Sequence, residues 1–254
     1  MFRDFNPRTF NRRNIGTSAT ERPQRADTSS SGRRLDCRLR LVSMNEGRTK
    51  SMKEVALRLV GALPPFRVVL ETRRNQTPVT FRHLVRQWAL VGGRGPYWPV
   101  HETSVINNWK NVYAGVDVSP GYSPGCYIQA LKPVVIGDYT QIGPNVGLIG
   151  ANHSVYDSRK HTSTEGIRIG SYCWIGMNAV ILPGVVLGDF TIVGAGAIVT
   201  KSFADGYGVL AGNPARQIKI LERDLCRRFK NEHEYNGFIP ACDFPEFRRA
   251  FLSV

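Results

Sequence analysis

At 254 residues, with 42% of side chains hydrophobic and 21% charged, the chain is long enough for one substantial core with appendages. It has no run of about 18 apolar residues, and its best candidate for a membrane span, "VALRLVGALPPFRVVL", holds Arg58 and Pro64-Pro65. The formal net charge of +14 calls for a polyanionic partner, and the five scattered cysteines (Cys37, Cys126, Cys173, Cys226, Cys242), without a CxxC, argue against a disulfide frame or a zinc site and for a reduced, cytoplasmic setting.

About half of the basic surplus sits at the start. Residues 1–50 hold twelve Lys or Arg against five Asp or Glu, in an Arg-, Ser- and Asn-rich context with few periodic apolar residues, which reads as a disordered basic tail. Its acidic residues and lack of a clean amphipathic helix argue against an organelle transit peptide. Residues 51–96 read as a helical cap. A first helix is expected over Met52 to Leu63, and a second opens at the N-cap candidate Thr80, with Phe81, Leu84, Val85, Trp88 and Val91 at helical spacing and Gly92-Gly93 as its stop.

From residue 97 to residue 200 the sequence keeps a period of six. Stepping by six from Val100 gives Val100, Ile106, Val112, Val118, Pro124, Ala130, Ile136, Ile142 and Leu148; a second block gives Ile169, Ile175, Ile181, Leu187, Val193 and Val199. Thirteen of these fifteen are Val, Ile or Leu, which chance does not produce, and seven are followed by Gly. Four residues after many of the starts stands a small or β-branched residue: Thr140, Val146, Cys173, Ala179, Val185, Thr191 and Ala197. A period of six suits short flat strands joined by tight turns, three hexads to a triangular coil, with coils stacked about 4.8 Å apart. The fold class expected is therefore mainly β, a parallel β-helix with N-terminal and C-terminal capping helices.

The clock stops once. Leu148 and Ile169 are 21 residues apart, so an excursion leaves the wall after His153, covers residues 154–166 and rejoins near Ile167. His153 closes the hexad that begins at Leu148, so its backbone is expected to be held by the coil. Residues 201–254 read as a closing segment, with Leu221, Leu225 and Phe229 as the apolar face of a short capping helix whose Arg223, Arg227, Arg228 and Lys230 are solvated charges rather than a nucleic-acid surface.

The stretches "IGDYTQIGPNVGLIGANHSVYD", "IRIGSYCWIGMNAVILPGVVLGDFTIVGAGAIVTKS" and "VLAGNPARQIK" resemble the hexapeptide-repeat acyltransferases over roughly residues 97–221. The likeness is greatest to the sugar and polysaccharide O-acetyltransferase branch, which includes the maltose, galactoside and capsular or exopolysaccharide acetyltransferases. The resemblance implies a left-handed β-helix, a homotrimer with sites in the clefts between prisms, acetyl-CoA as donor and a sugar or glycan acceptor, with no metal, no nucleic acid and no membrane span.

Moving an acetyl group from a thioester to a hydroxyl needs a base for the hydroxyl proton and an acid for the departing thiolate, and one histidine can do both. By the resemblance that base is His153, while His83, His101, His161 and His233 are expected to be ordinary surface histidines. Family members commonly follow the catalytic His with Asp or Pro. Here Ser154 follows, which leaves the orienting group open among Asp157, Glu165, Gln129 and Asn152, each equally an acceptor contact. On the donor side the resemblance points to Thr200, Lys201, Arg216 and Lys219 for the nucleotide end, to the amides of Met177 and Ala195 for the pantetheine arm, and to Trp174 beside the groove.

Three alternatives remain at this stage. An N-acyltransferase for an amino sugar or amino acid shares fold and donor, and a non-catalytic β-helix would lack coenzyme binding. A zinc hydratase would need three His on adjacent coils, a spacing that His101, His153 and His161 do not have.

Overall fold

The computed structural model describes residues 64–87, 94–162 and 165–254. The basic tail, the helix expected over Met52 to Leu63 and the end of the second helix at residues 88–93 lie outside the described residues. Within them, Pro64-Pro65, which interrupts the apolar run named above, opens a helix, α1 (Pro64–Glu71). Proline suits the first turn because its missing N–H has no helical acceptor to serve. Helix α2 (Phe81–Val85) starts where expected: the Thr80 hydroxyl accepts from the His83 amide, and the His83 ring accepts from the Thr80 amide, a reciprocal cap.

The strands follow in chain order as β1 (Val105–Asn107), β2 (Val112–Ala114), β3 (Tyr127–Gln129), β4 (Val134–Ile136), β5 (Gln141–Ile142), β6 (Gly147–Ile149), β7 (Ile167–Ile169), β8 (Trp174–Ile175), β9 (Val180–Ile181), β10 (Val186–Leu187), β11 (Thr191–Val193), β12 (Ile198–Val199), β13 (Gly208–Ala211) and β14 (Arg216–Ile220). They form three faces. The first is β1-β3-β6-β9-β12, the second β2-β4-β7-β10, the third β5-β8-β11-β13-β14. Every pair is parallel except β13 with β14. This is the parallel β-helix the period predicts.

The register shows why the period works and where it misleads. Ile169 pairs with Leu187 and Ile175 with Val193, an 18-residue coil, and each strand turns two residues inward. Cys173 with Ile175, Ala179 with Ile181 and Ala197 with Val199 are all at most 2% exposed. Each such aliphatic contributes about 1.5–3 kcal/mol of burial. The small residue fits where the prism narrows. Upstream, however, Ala114 pairs with Ile136 and Ile106 with Ile128, coils of 22 residues. Counting by six there lands on Val112, two residues before the corner, and on Pro124, which is exposed. Longer corner loops in the first coils offset the count, and Cys126 and Ile128 fill the interior instead.

Polar residues inside the prism are satisfied locally. The Thr140 hydroxyl donates to the Gly170 carbonyl (2.7 Å) and that of Thr191 to Gly188 (2.7 Å), while the thiol of Cys173 points at the same Gly188 carbonyl (3.3 Å). Burial pushes the Cys173 thiol up to about 11.

The closing segment is a strap. The helix expected over Leu221 to Phe229 is absent: a single 3₁₀ turn, Arg223–Leu225, forms, and Leu225 is 68% exposed. A three-residue apolar face gives so short a helix too little to bury, and tertiary contacts decide instead. The strap runs back along one prism edge, where Tyr139, Tyr172, Phe190 and Tyr207 stack at 5.1–5.2 Å between successive rings. All four have positive φ (57°, 57°, 56° and 48°), a conformation unfavourable for aromatic residues. Ring stacking at about 0.5–1.5 kcal/mol per pair offsets that cost. The Arg228 guanidinium lies over Tyr172 and Phe190 and pairs with Asp189 at 2.7 Å; Arg223 covers Tyr207, and Phe229 packs on Tyr139.

The strap ends at the first coil. There β15 (Tyr235–Asn236) and β16 (Ile239–Pro240) pair, and helix α3 (Phe244–Phe251) sets Phe244 and Phe247 against Tyr97, each at 5.2 Å. Trp98, 1% exposed, closes the prism mouth below them with its indole N–H on the Pro120 carbonyl (2.8 Å). Asp117, 3% exposed, ties the cap together by accepting from the Gln76 and Thr77 amides and from the Asn231 side chain. The C-terminal helix therefore closes the same end of the prism as the N-terminal cap.

Candidate functional site

The excursion is longer than the count suggested. Ile136 pairs with Ile169 across 33 residues, fifteen more than the coil from Ile169 to Leu187. The surplus leaves the edge between the first and second faces. At its root Gly166 passes so close to the neighbouring coil that a Cβ would stand 1.7 Å from the Pro133 carbonyl oxygen, which fixes where the chain rejoins.

The extra residues fold back on themselves as an arm. His153 and His161 face each other in an antiparallel bridge, with the Ser154 amide donating to Lys160 (2.7 Å) and the Thr162 amide to Asn152 (3.0 Å). His153 is thus held by the arm rather than by the coil. The arm's tip exposes Val155 (91%) and Tyr156 (98%).

The partner of the His153 ring is a backbone atom, not one of the four side chains named above. Nδ1 of His153 lies 2.5 Å from the carbonyl oxygen of Ser158. A carbonyl only accepts, so Nδ1 carries the hydrogen, and whenever the exposed ring is neutral the lone pair sits on Nε2. Asp157 does not serve the imidazole. Its carboxylate binds the Arg159 side chain (2.9 Å) and lies 3.7 Å from Lys160, and the Arg159 contact holds it below the usual carboxylate range. Gln129 anchors the arm's root, its side-chain oxygen accepting from the Ala151 amide (2.9 Å). Asn152 contributes its carbonyl to the arm's ladder, and Glu165 stands exposed where the arm rejoins.

His161, read above as ordinary surface, faces His153 with ring centroids 4.5 Å apart and planes at 35°. The signal was present: the two histidines stand four residues either side of Asp157, as partners across a two-stranded arm must.

The expected donor residues divide between two edges. Thr200 and Lys201 follow β12 and lie on the edge that bears the arm, two strands from β6, or about 9.6 Å along the axis. Met177 and Ala195 occupy the edge between the third and first faces, where Gly176 lets the chains approach: a Cβ there would meet the Ala195 nitrogen at 2.7 Å. Trp174, 55% exposed, stands on the third face, whose outermost strand β14 presents Arg216 and Lys219. Among the described residues none of Lys201, Arg216 and Lys219 has a carboxylate within 4.0 Å; Lys201 rests over the Phe203 ring, and Arg216 donates to its neighbour's carbonyl. Three exposed cations fit a polyanionic ligand. One chain does not gather both edges. A ligand touching both must cross the first face or lie between two copies.

Among the described residues no group of three His, Cys, Asp or Glu is placed to hold a metal ion, and no helix is long and apolar enough to cross a membrane.

Comparison with known proteins places the repeat in a family. Residues 166–201 match the family described as bacterial transferase hexapeptide (six repeats). The chain is 36% identical over 135 residues to a Dictyostelium discoideum protein named as an acetyltransferase, covering 52% of this chain and 70% of that one. It is 43% identical over 102 residues to the galactoside O-acetyltransferase of Escherichia coli, 39% of this chain and 50% of that one. The chain spans about half the length of the first curated relatives it matches. Among solved structures it is similar to a galactoside acetyltransferase in complex with coenzyme A, at 26% identity and a TM-score of 0.49, over 72% of this chain and 90% of that one.

Proposed function

Because this chain belongs to the hexapeptide-repeat transferases, we propose that it moves an acetyl group from acetyl-CoA to a hydroxyl of a sugar or glycan precursor, by direct attack with His153 as general base. The observation that carries the reading is the hydrogen bond from Nδ1 of His153 to the Ser158 carbonyl, which leaves Nε2 as an exposed proton acceptor on the edge shared with Lys201. The Nε2 lone pair takes the acceptor hydroxyl's proton as its oxygen attacks the thioester carbon. The resulting imidazolium, stabilised by the same carbonyl, returns the proton to the sulfur as the C–S bond breaks. Lys201, Arg216 and Lys219 bind the phosphates of the nucleotide end, while the amides of Met177 and Ala195 and the Trp174 indole face the pantetheine arm.

The active unit is a trimer of this chain. Two observations favour it: the donor residues divide between two edges of one prism, and Val105 (49% exposed) and Tyr127 (41%) turn outward on the first face between those edges. The test is to incubate the purified protein with acetyl-CoA and a panel of sugars, amino sugars and amino acids while following free thiol. Hydroxyl-dependent thiol release supports the reading. Release driven by amines alone would make the protein an N-acyltransferase, and coenzyme neither bound nor consumed would make it a scaffold.

A further inference from the structure

A base mounted on an exposed arm has a problem that a base in a packed wall does not. Rotation about the Cβ–Cγ bond of His153 is broad and nearly two-fold, so one hydrogen bond in water holds the ring only partly. A flipped ring would exchange Nδ1 with Cδ2 and Nε2 with Cε1, breaking the Ser158 contact and moving the lone pair out of its place. The arm supplies a second restraint. His161 sits directly across the bridge, and its imidazole packs on that of His153 at 4.5 Å and 35°, close enough to cover one face of the ring. The Ser158 carbonyl fixes one ring nitrogen in the plane, and His161 closes the direction out of the plane. The two restraints come from different parts of one hairpin, whose short ladder sets both distances.

We propose that His161 is a positioning residue for His153: its ring, not its proton, holds the base in the orientation that presents Nε2 to the acceptor. This rests on His153 being the base. A residue that acts by ring contact can be replaced by another flat ring, whereas one that acts by proton transfer cannot. The contact energy of an aromatic pair corresponds to a factor of roughly three to ten in population.

The experiment compares His161→Ala, His161→Phe and His153→Ala in steady-state turnover. In parallel, ¹⁵N–¹H correlation spectra of the imidazoles are recorded in the complete protein. His161→Ala should lower kcat by roughly three- to tenfold with the KM for acetyl-CoA unchanged, and His161→Phe should recover the wild-type rate to within about twofold. The spectrum of wild-type His153 should report a single Nδ1–H tautomer, which averages towards the other in His161→Ala and returns in His161→Phe. Wild-type turnover or an unchanged His153 spectrum in His161→Ala overturns the proposal. So does a His161→Phe enzyme no faster than His161→Ala, since a flat ring would then not replace the imidazole. Retained activity in His153→Ala would instead sink the reading of His153 as base; the spectra would still decide whether His161 orients its ring.

Discussion

Nδ1 of His153 and the carbonyl of Ser158 meet across five residues of the same arm, so the tautomer of this neutral imidazole is set by the main chain. No side-chain substitution at position 158 other than proline need disturb it. The sensitive position is His153 itself. A positioned general base is worth roughly 10² to 10⁴ in rate, about 3–5 kcal/mol of barrier. His153→Ala should therefore lower kcat by that factor while isothermal titration finds donor affinity within about threefold of wild type, since the imidazole makes none of the proposed phosphate contacts. Retention of more than about a tenth of the rate would mean that the base lies elsewhere.

Lys201 and Arg216 should act on donor binding and leave the chemical step alone, because contacts to a remote phosphate are equal in the ground and transition states. At about 1.5 kcal/mol per charged contact, each exchange to Ala should raise the KM for acetyl-CoA roughly tenfold with kcat unchanged. Lys201 follows the first face and Arg216 stands on the third, so a trimer that binds the donor between copies predicts additive effects in the double variant. Lowered kcat at constant KM would contradict the assignment.

Arg228 should matter for stability alone. It covers the rings of Tyr172 and Phe190 and pairs with Asp189, at a site remote from the arm. An exposed cation–π contact contributes about 0.5–1 kcal/mol, so Arg228→Ala should lower the unfolding free energy by about 1 kcal/mol in urea titration and leave turnover per folded molecule unchanged. A loss of turnover greater than the loss of folded protein would place the strap in the site.

The fold was legible because packing a narrow prism leaves the sequence little choice: Ile136, Ile142 and Leu148 stand six apart since each closes one corner. The strap was not legible. Leu221, Leu225 and Phe229 have helical spacing, yet Phe229 belongs to the ring ladder through Tyr139, 90 residues away, a contact that no local pattern encodes. The site was half legible. His153 stood out at the break in the count, but its partner is a carbonyl, and every residue has one.

Cys173 gives the stability curve an alkaline limb. Its thiol is raised to about 11 in the fold from an ordinary value of 9.0. Between those values the unfolded chain binds fewer protons than the native one, so stability falls as pH rises. The contribution is complete below pH 9 and lost by about pH 11, an upper bound of about 3 kcal/mol. Denaturant titrations at pH 8 and 10 should show the loss in the wild type and a smaller one in Cys173→Ala. Equal slopes in the two proteins would remove the Cys173 thiol from the account, leaving Cys126, Tyr97, Tyr139 and Tyr235, all raised by burial, to explain the limb.

A stack of coils that touch only their neighbours can fray from either end, one coil at a time. This chain leaves the last coil along the ring ladder and finishes on the first, with the Asp117 amide on the Tyr235 carbonyl and the Phe238 amide on that of Tyr97. Losing the terminal coil therefore pulls on the opposite end. A linear array becomes a closed circuit, in which local opening anywhere costs contacts everywhere and the molecule melts as one unit. The same closure delays folding, because the first coil cannot be sealed until nearly the whole chain has left the ribosome.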